Sequence, residues 1–177
     1  MPHRRAPLVV LLLAATLAGC TGSTSGPSPS PTVSASSPST TPTLSDGQKA
    51  ANDTVVKYRA IIDQLRAQYK PDLAPLIEVS SDAAYEKWRY TIQEDFVNGW
   101  HQTGVAALTI RSTDPGATSQ QWLVSTCLDV TKVDIVDKEG KTTLAHPGGI
   151  NSVKYTVERQ QTNLKWYVTN ETGGGAC

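Results

Sequence analysis

The stretch "QWLVSTCLDVTKVDIV" (Gln121–Val136) decides how the fold is read. Trp122, Val124, Thr126, Leu128 and Val130 recur at every second residue, the period of a strand with one buried face. Val133 and Ile135 then fall on the opposite parity. A one-residue slip moves every side chain to the other face, so a flip near Thr131 predicts a bulge that bends one long strand. Downstream, "DKEG" (137–140) and "HPGG" (146–149) read as turns. Val153, Tyr155 and Val157 alternate, "RQQTN" (159–163) turns, and Leu164, Trp166 and Val168 alternate again, which is a hairpin. Upstream, Val105 to Ile110 alternate before a turn at "STDPGATS" (112–119).

Further upstream the period changes to that of a helix. Ala51, Val55, Tyr58, Ile62, Leu65 and Tyr69 recur at spacings of four and three, one apolar stripe. Ser45 is placed as its N-cap, with Gln48 completing a capping box, and Pro71 stops it. A short helix or turn follows from Asp72 to Val79. Ser80 and Ser81 can cap a third helix with the stripe Tyr85, Trp88, Ile92 and Phe96, closed by Gly99. Helices first, then about four strands with short connections, predict an α+β domain. Its N-terminal helices pack on one face of a curved antiparallel sheet.

Three helices followed by long, bent antiparallel strands resemble the NTF2-like fold, the cone-shaped family that includes ketosteroid isomerase. The resemblance covers Ser45 to Cys177 and rests on element order and the bent strand. It implies a pocket between the concave face of the sheet and the helices. Tyr85, Trp88, Trp122, Tyr155 and Trp166 are the large aromatics that would line it. In ketosteroid isomerase-like members such a pocket holds an acid and a hydrogen-bonding tyrosine that stabilise an enolate. Asp95, Asp129, Tyr90 and His101 are candidates for that pair. The same aromatics fit a plain core, and the same acids fit solvated positions.

The N-terminus carries a different message. His3, Arg4 and Arg5 precede an apolar run from Leu8 to Ala18, broken only by Thr16. That run is well short of the roughly 20 residues that cross a bilayer core, and its layout is that of a secretory signal. Leu17-Ala18-Gly19-Cys20 resembles the lipobox of bacterial lipoproteins. In that family the cysteine takes a diacylglycerol and becomes the new N-terminus. The resemblance therefore implies a signal peptide over residues 1–19 and lipid attachment at Cys20. Of the 24 residues from Thr21 to Leu44, 21 are Ser, Thr, Pro or Gly, and none is charged. Such a segment cannot bury enough apolar surface to offset its ordering entropy, so residues 20–44 read as a lipidated cysteine and a disordered tether. Lipobox and tether together resemble an actinobacterial surface lipoprotein. Residues 45–177 then form one globular domain.

A lipidated Cys20 leaves Cys127 and Cys177. Outside the cytoplasm disulfides persist, and two cysteines have one pairing. "ETGGGAC" (171–177) would let the tail swing back to Cys127. Loss of Arg4 and Arg5 with the signal leaves 14 basic against 16 acidic residues, which gives no argument for a nucleic-acid partner. There is no phosphate-binding loop, HExxH, G-x-S-x-G or paired CxxC to imply a cofactor or metal. His101 and His146 sit on separate loops and read as polar loop residues. The expectation is an extracytoplasmic lipoprotein held to the bilayer by Cys20. Its domain would bind an envelope protein or a small apolar ligand without catalysis. A ketosteroid isomerase-like isomerase or dehydratase, and a structural subunit of an envelope complex, are the other classes left open.

Overall fold

The computed structural model describes residues 43–144 and 148–177. The expected signal, Cys20, nearly all of the tether and His146 lie outside the described residues. Helix α1 spans Asp46–Arg66, and its capping box forms as the sequence requires: Gln48 N donates to Ser45 Oγ, and Ser45 N donates to Gln48 Oε1 at 2.9 Å. The Gln48 amide also donates to the Thr113 carbonyl at 2.9 Å, which ties the start of the helix to the sheet. Helix α2 is a single turn, Ala74–Ile77. Helix α3 spans Asp82–Asn98 and ends at Gly99, whose φ of 70° is the left-handed cap conformation that glycine adopts without a Cβ clash.

Six strands follow: β1 (His101–Thr103), β2 (Ala107–Pro115), β3 (Gln121–Asp129), β4 (Asp134–Val136), β5 (Ile150–Arg159) and β6 (Trp166–Ala176). Strands β2, β3, β5 and β6 form an open antiparallel sheet in the order β2-β3-β5-β6, while β1 and β4 pair separately. The fold is α+β, with helices over a four-stranded antiparallel sheet. Val55, Tyr58, Ile62 and Leu65 of α1 meet Val124, Leu128, Val153, Tyr155, Val157 and Val168 in one core. Full burial of a side chain such as Ile62 or Leu76 contributes about 1.5–3 kcal/mol.

The stretch 121–136 is not one bent strand. β3 ends at Asp129, whose carboxylate accepts from Thr131 N and Oγ1 and closes a tight turn. The chain then leaves the main sheet, and Ile135 re-enters as β4 opposite Gln102 of β1. The parity flip marks a change of sheet. The bulges that shape the main sheet lie elsewhere, between Ile110 and Ser112, Asn151 and Val153, and Thr156 and Val157. The segment "STDP", expected as turn, continues β2 to Pro115. Leu164, expected in a strand, is an exposed loop residue with φ 60°. Phe96, expected in the core, is 48% exposed, and Asp95 takes the buried position beside it.

Cys127 and Cys177 are joined, with their Cα atoms 5.9 Å apart. The tail is not a loose arm: it is strand β6, paired to β5 as far as Ala176. β3 and β6 flank β5, so the bridge crosses a strand. A bulge and Gly175, at φ 60°, tip the tail across. Cys127 alternates with the buried Thr126 and Leu128, which puts the bridge on the face of the sheet away from the core.

Candidate functional site

Beside the apolar stripe of α1 runs a polar one. Arg59, Asp63 and Arg66 lie at spacings of four and three, about 100° round the helix from Tyr58, Ile62 and Leu65. Packing against the sheet buries this second stripe as well. Arg59 Nη2 donates to Asp63 Oδ1 at 3.3 Å, and both side chains are 7% exposed. Asp63 also accepts from Gln102 Nε2 and from the backbone of Ala106, each at 3.0 Å. Arg66 Nε donates to Asp95 Oδ2 at 2.7 Å, joining α1 to α3.

A second carboxylate closes the other side. Glu171, on β6, accepts from Trp88 Nε1 at 2.8 Å, Tyr58 OH at 3.1 Å and Lys87 Nζ at 2.9 Å. Burial and the neighbouring Glu171 charge push the Tyr58 phenol well above its ordinary range; burial does the same to Tyr155. Three cations surround the Trp88 indole: Arg59 at 5.1 Å, Arg66 at 5.6 Å and Lys87 at 5.6 Å from the ring centre.

Arg59, Asp63, Arg66, Lys87, Trp88 and Glu171 line a cavity of about 210 Å³ between α1, α3 and the sheet, walled on its apolar side by Leu128, Val130 and Val133. Arg59, Asp63 and Ala106 also form the inner wall of a second, apolar groove of about 480 Å³. That groove runs to the surface between Val56 and Ala60 of α1 and Val105 and Leu108 of the sheet side. Val56 is 52% and Val105 71% exposed. An apolar channel at the surface thus ends on a buried, charged inner wall.

The aromatics expected to line a pocket divide. Trp88 lines the charged cavity. Tyr155 is fully buried core and stands edge-on to Tyr58. Tyr85 packs against the core, Trp122 lies over Gly47 at the start of α1, and Trp166 lines a shallow hollow beside Lys57 and Val79. The expected acid-tyrosine pair does not assemble. Asp95 is buried but held by Arg66. Hydrogen bonds from Thr131 hold the Asp129 carboxyl below its ordinary range, at the end of β3. Tyr90 is exposed beneath Arg89, and His101 stacks on Tyr69. Sequence reasoning missed Arg59, Asp63, Arg66, Gln102 and Glu171. The signal for the first three was the i, i+4, i+7 polar stripe beside the apolar one.

No protein-family model and no curated protein matches the chain. Among solved structures, the domain is similar to the crystal structure of the intermembrane space region of chloroplast protein ARC6. The TM-score is 0.58 at 17% identity, over 76% of this chain and the whole of that one. At that identity the likeness is one of fold.

Proposed function

We propose that this chain is an extracytoplasmic lipoprotein, anchored through Cys20, whose folded domain is a non-catalytic binding module for a small apolar ligand. The observation that carries the reading is the groove between α1 and the sheet. It is lined mostly by apolar residues, with Arg59, Asp63 and Gln64 as its polar ones, opens at Val56 and Val105, and is large enough for a small molecule. The carboxylates of Asp63, on its inner side, and of Glu171, in the charged cavity, argue against a catalytic base. Asp63 and Glu171 each accept three hydrogen bonds, on about four lone-pair sites, from this chain's own donors. The disulfide fits a domain that works outside the cytoplasm.

Two measurements test this. The purified protein should enhance the fluorescence of an apolar dye, and Val105→Asp should remove the enhancement while leaving the circular dichroism unchanged; enhancement that persists in the variant sinks the groove. Cys20→Ala should move the protein from the membrane to the soluble fraction, and continued membrane partition sinks the anchor. A second reading, contact with an envelope protein, has one observation in its favour. Tyr90, Phe96 and Val97 of α3 are exposed apolar side chains. A photocrosslinker at Val97 that captures one defined protein in cells would support it, and its failure to do so would remove it.

A further inference from the structure

The charged cavity beside Trp88 holds donors that no acceptor of this chain meets. Arg66 donates to Asp95 through Nε at 2.7 Å, and among the described residues nothing accepts from its Nη1 or Nη2. Its side chain is 15% exposed, and unlike the unpartnered groups of Arg59 these two nitrogens are not sealed off from solvent. Lys87 lines the same cavity, donates to Glu171 at 2.9 Å and is 47% exposed. An ammonium has three N–H groups, so two of them remain. Arg66 and Lys87 each stand 5.6 Å from the centre of the Trp88 ring. The carboxylates of Asp63 and Glu171 already accept three hydrogen bonds each. Arg59 adds charge to the wall but no contact, since its unpartnered N–H groups are enclosed. The apolar side of this cavity is Leu128, Val130 and Val133.

We infer that this cavity is a ligand site separate from the groove, for a short-chain monocarboxylate. The head group is received by Arg66 Nη1 and Nη2 and by Lys87, and the alkyl end lies against Leu128, Val130 and Val133. Head and tail both stay within the one cavity of about 210 Å³, so no passage to the groove is involved. The edge of a guanidinium matches a planar carboxylate in two parallel hydrogen bonds. With Asp95 counted, three cations face three carboxylates. A dianion such as phosphate would therefore bring charge that nothing offsets, at a desolvation cost that one free guanidinium edge does not cover. A cation would meet carboxylates whose acceptor sites are mostly taken.

Butyrate and butyramide are probes of nearly one shape that differ in charge. Titration followed by amide and indole N–H shifts of the isotope-labelled protein reads both affinity and place. Butyrate should shift the Trp88 indole N–H and the Val130 and Val133 amides and leave Val56 and Val105 still. It should bind at least about ten-fold more tightly than butyramide, the scale of a hydrogen bond to a charged group. Acetate lacks two methylene groups and should bind about ten-fold more weakly than butyrate. Arg66→Gln should abolish the preference for butyrate over butyramide. Asp95 loses its partner in that variant, so Lys87→Gln, at an exposed side chain, is tested beside it. Lys87→Gln should weaken butyrate about three-fold with circular dichroism unchanged. Equal affinities for butyrate and butyramide would overturn the carboxylate site. So would phosphate binding more tightly than butyrate, or butyrate affinity unchanged in both variants. Shifts confined to Val56 and Val105 would also overturn it, by moving the ligand to the groove. No shift with either probe at millimolar concentration would overturn it and leave the groove reading untouched.

Discussion

Replacing Cys177 with serine isolates the stability that the disulfide supplies. The residue is exposed, so Cys177→Ser removes the link without opening a hole in the core. The bridge closes a loop of 50 residues. For that length the chain-entropy argument gives about 4 kcal/mol, lost when the unfolded chain is freed. Ser45–Cys177 comprises 133 residues. At about 2.1 cal/mol/K per residue, its unfolding entropy is about 0.28 kcal/mol/K, so Tm should fall by about 14 °C. Cys127→Ser should give nearly the same drop, because the same crosslink is lost. Thermal unfolding followed by circular dichroism, with and without reductant, measures it. The unaltered protein in reductant should match the variants. Hydrogen exchange should also quicken at 172–176, the part of β6 nearest the bridge. A drop below about 3 °C, or clearly different drops for the two variants, would refute the assignment of this stability to unfolded-state entropy.

Two further expectations concern the interior and the loop that shapes the groove. Tyr58 and Tyr155 are fully buried, with phenols pushed far above the ordinary value of about 10, so absorbance titration at 295 nm should find both still un-ionised at pH 11, and replacing either with Phe should remove no signal there. The sign follows from linkage. Above pH 10 the folded state holds protons that the unfolded state has released, so stability is intact below that pH and falls above it. The slope approaches about 1.4 kcal/mol per pH unit for each phenol, and a flat stability profile between pH 10 and 11 would contradict the burial. Gly104 has φ 72°, and a Cβ there would collide with the Lys132 carbonyl. Gly99 has φ 70° and open space around it. Chemical denaturation should therefore show Gly104→Ala costing about 2 kcal/mol or more, and Gly99→Ala only the left-handed strain of about 1 kcal/mol. Equal costs would remove the clash from the account.

The sequence alone determined the elements whose cause is local. The stripe from Ala51 to Leu65 and the Ser45–Gln48 box specify α1, because apolar spacing and end-capping act within a few turns. Gly99 ends α3 for the same kind of reason. The cysteine pairing followed from there being two candidates, given a lipidated Cys20, and the bond is present. The tertiary structure alone decided what depends on partners far along the chain. Alternation in 121–136 reports which side chains are buried; it does not report which strand lies opposite, so the jump from β3 to β4 looked like a bend. "NETGGGA" (170–176) has no strand period, and it becomes strand because β5 supplies hydrogen bonds. Glu171 shares no local pattern with Tyr58, 113 residues away, or with Trp88, 83 away, and they meet only when β6 docks beside the helices. The charged cavity is built by that docking: buried donors and acceptors must find each other in space, and sequence distance places no limit on where they do so.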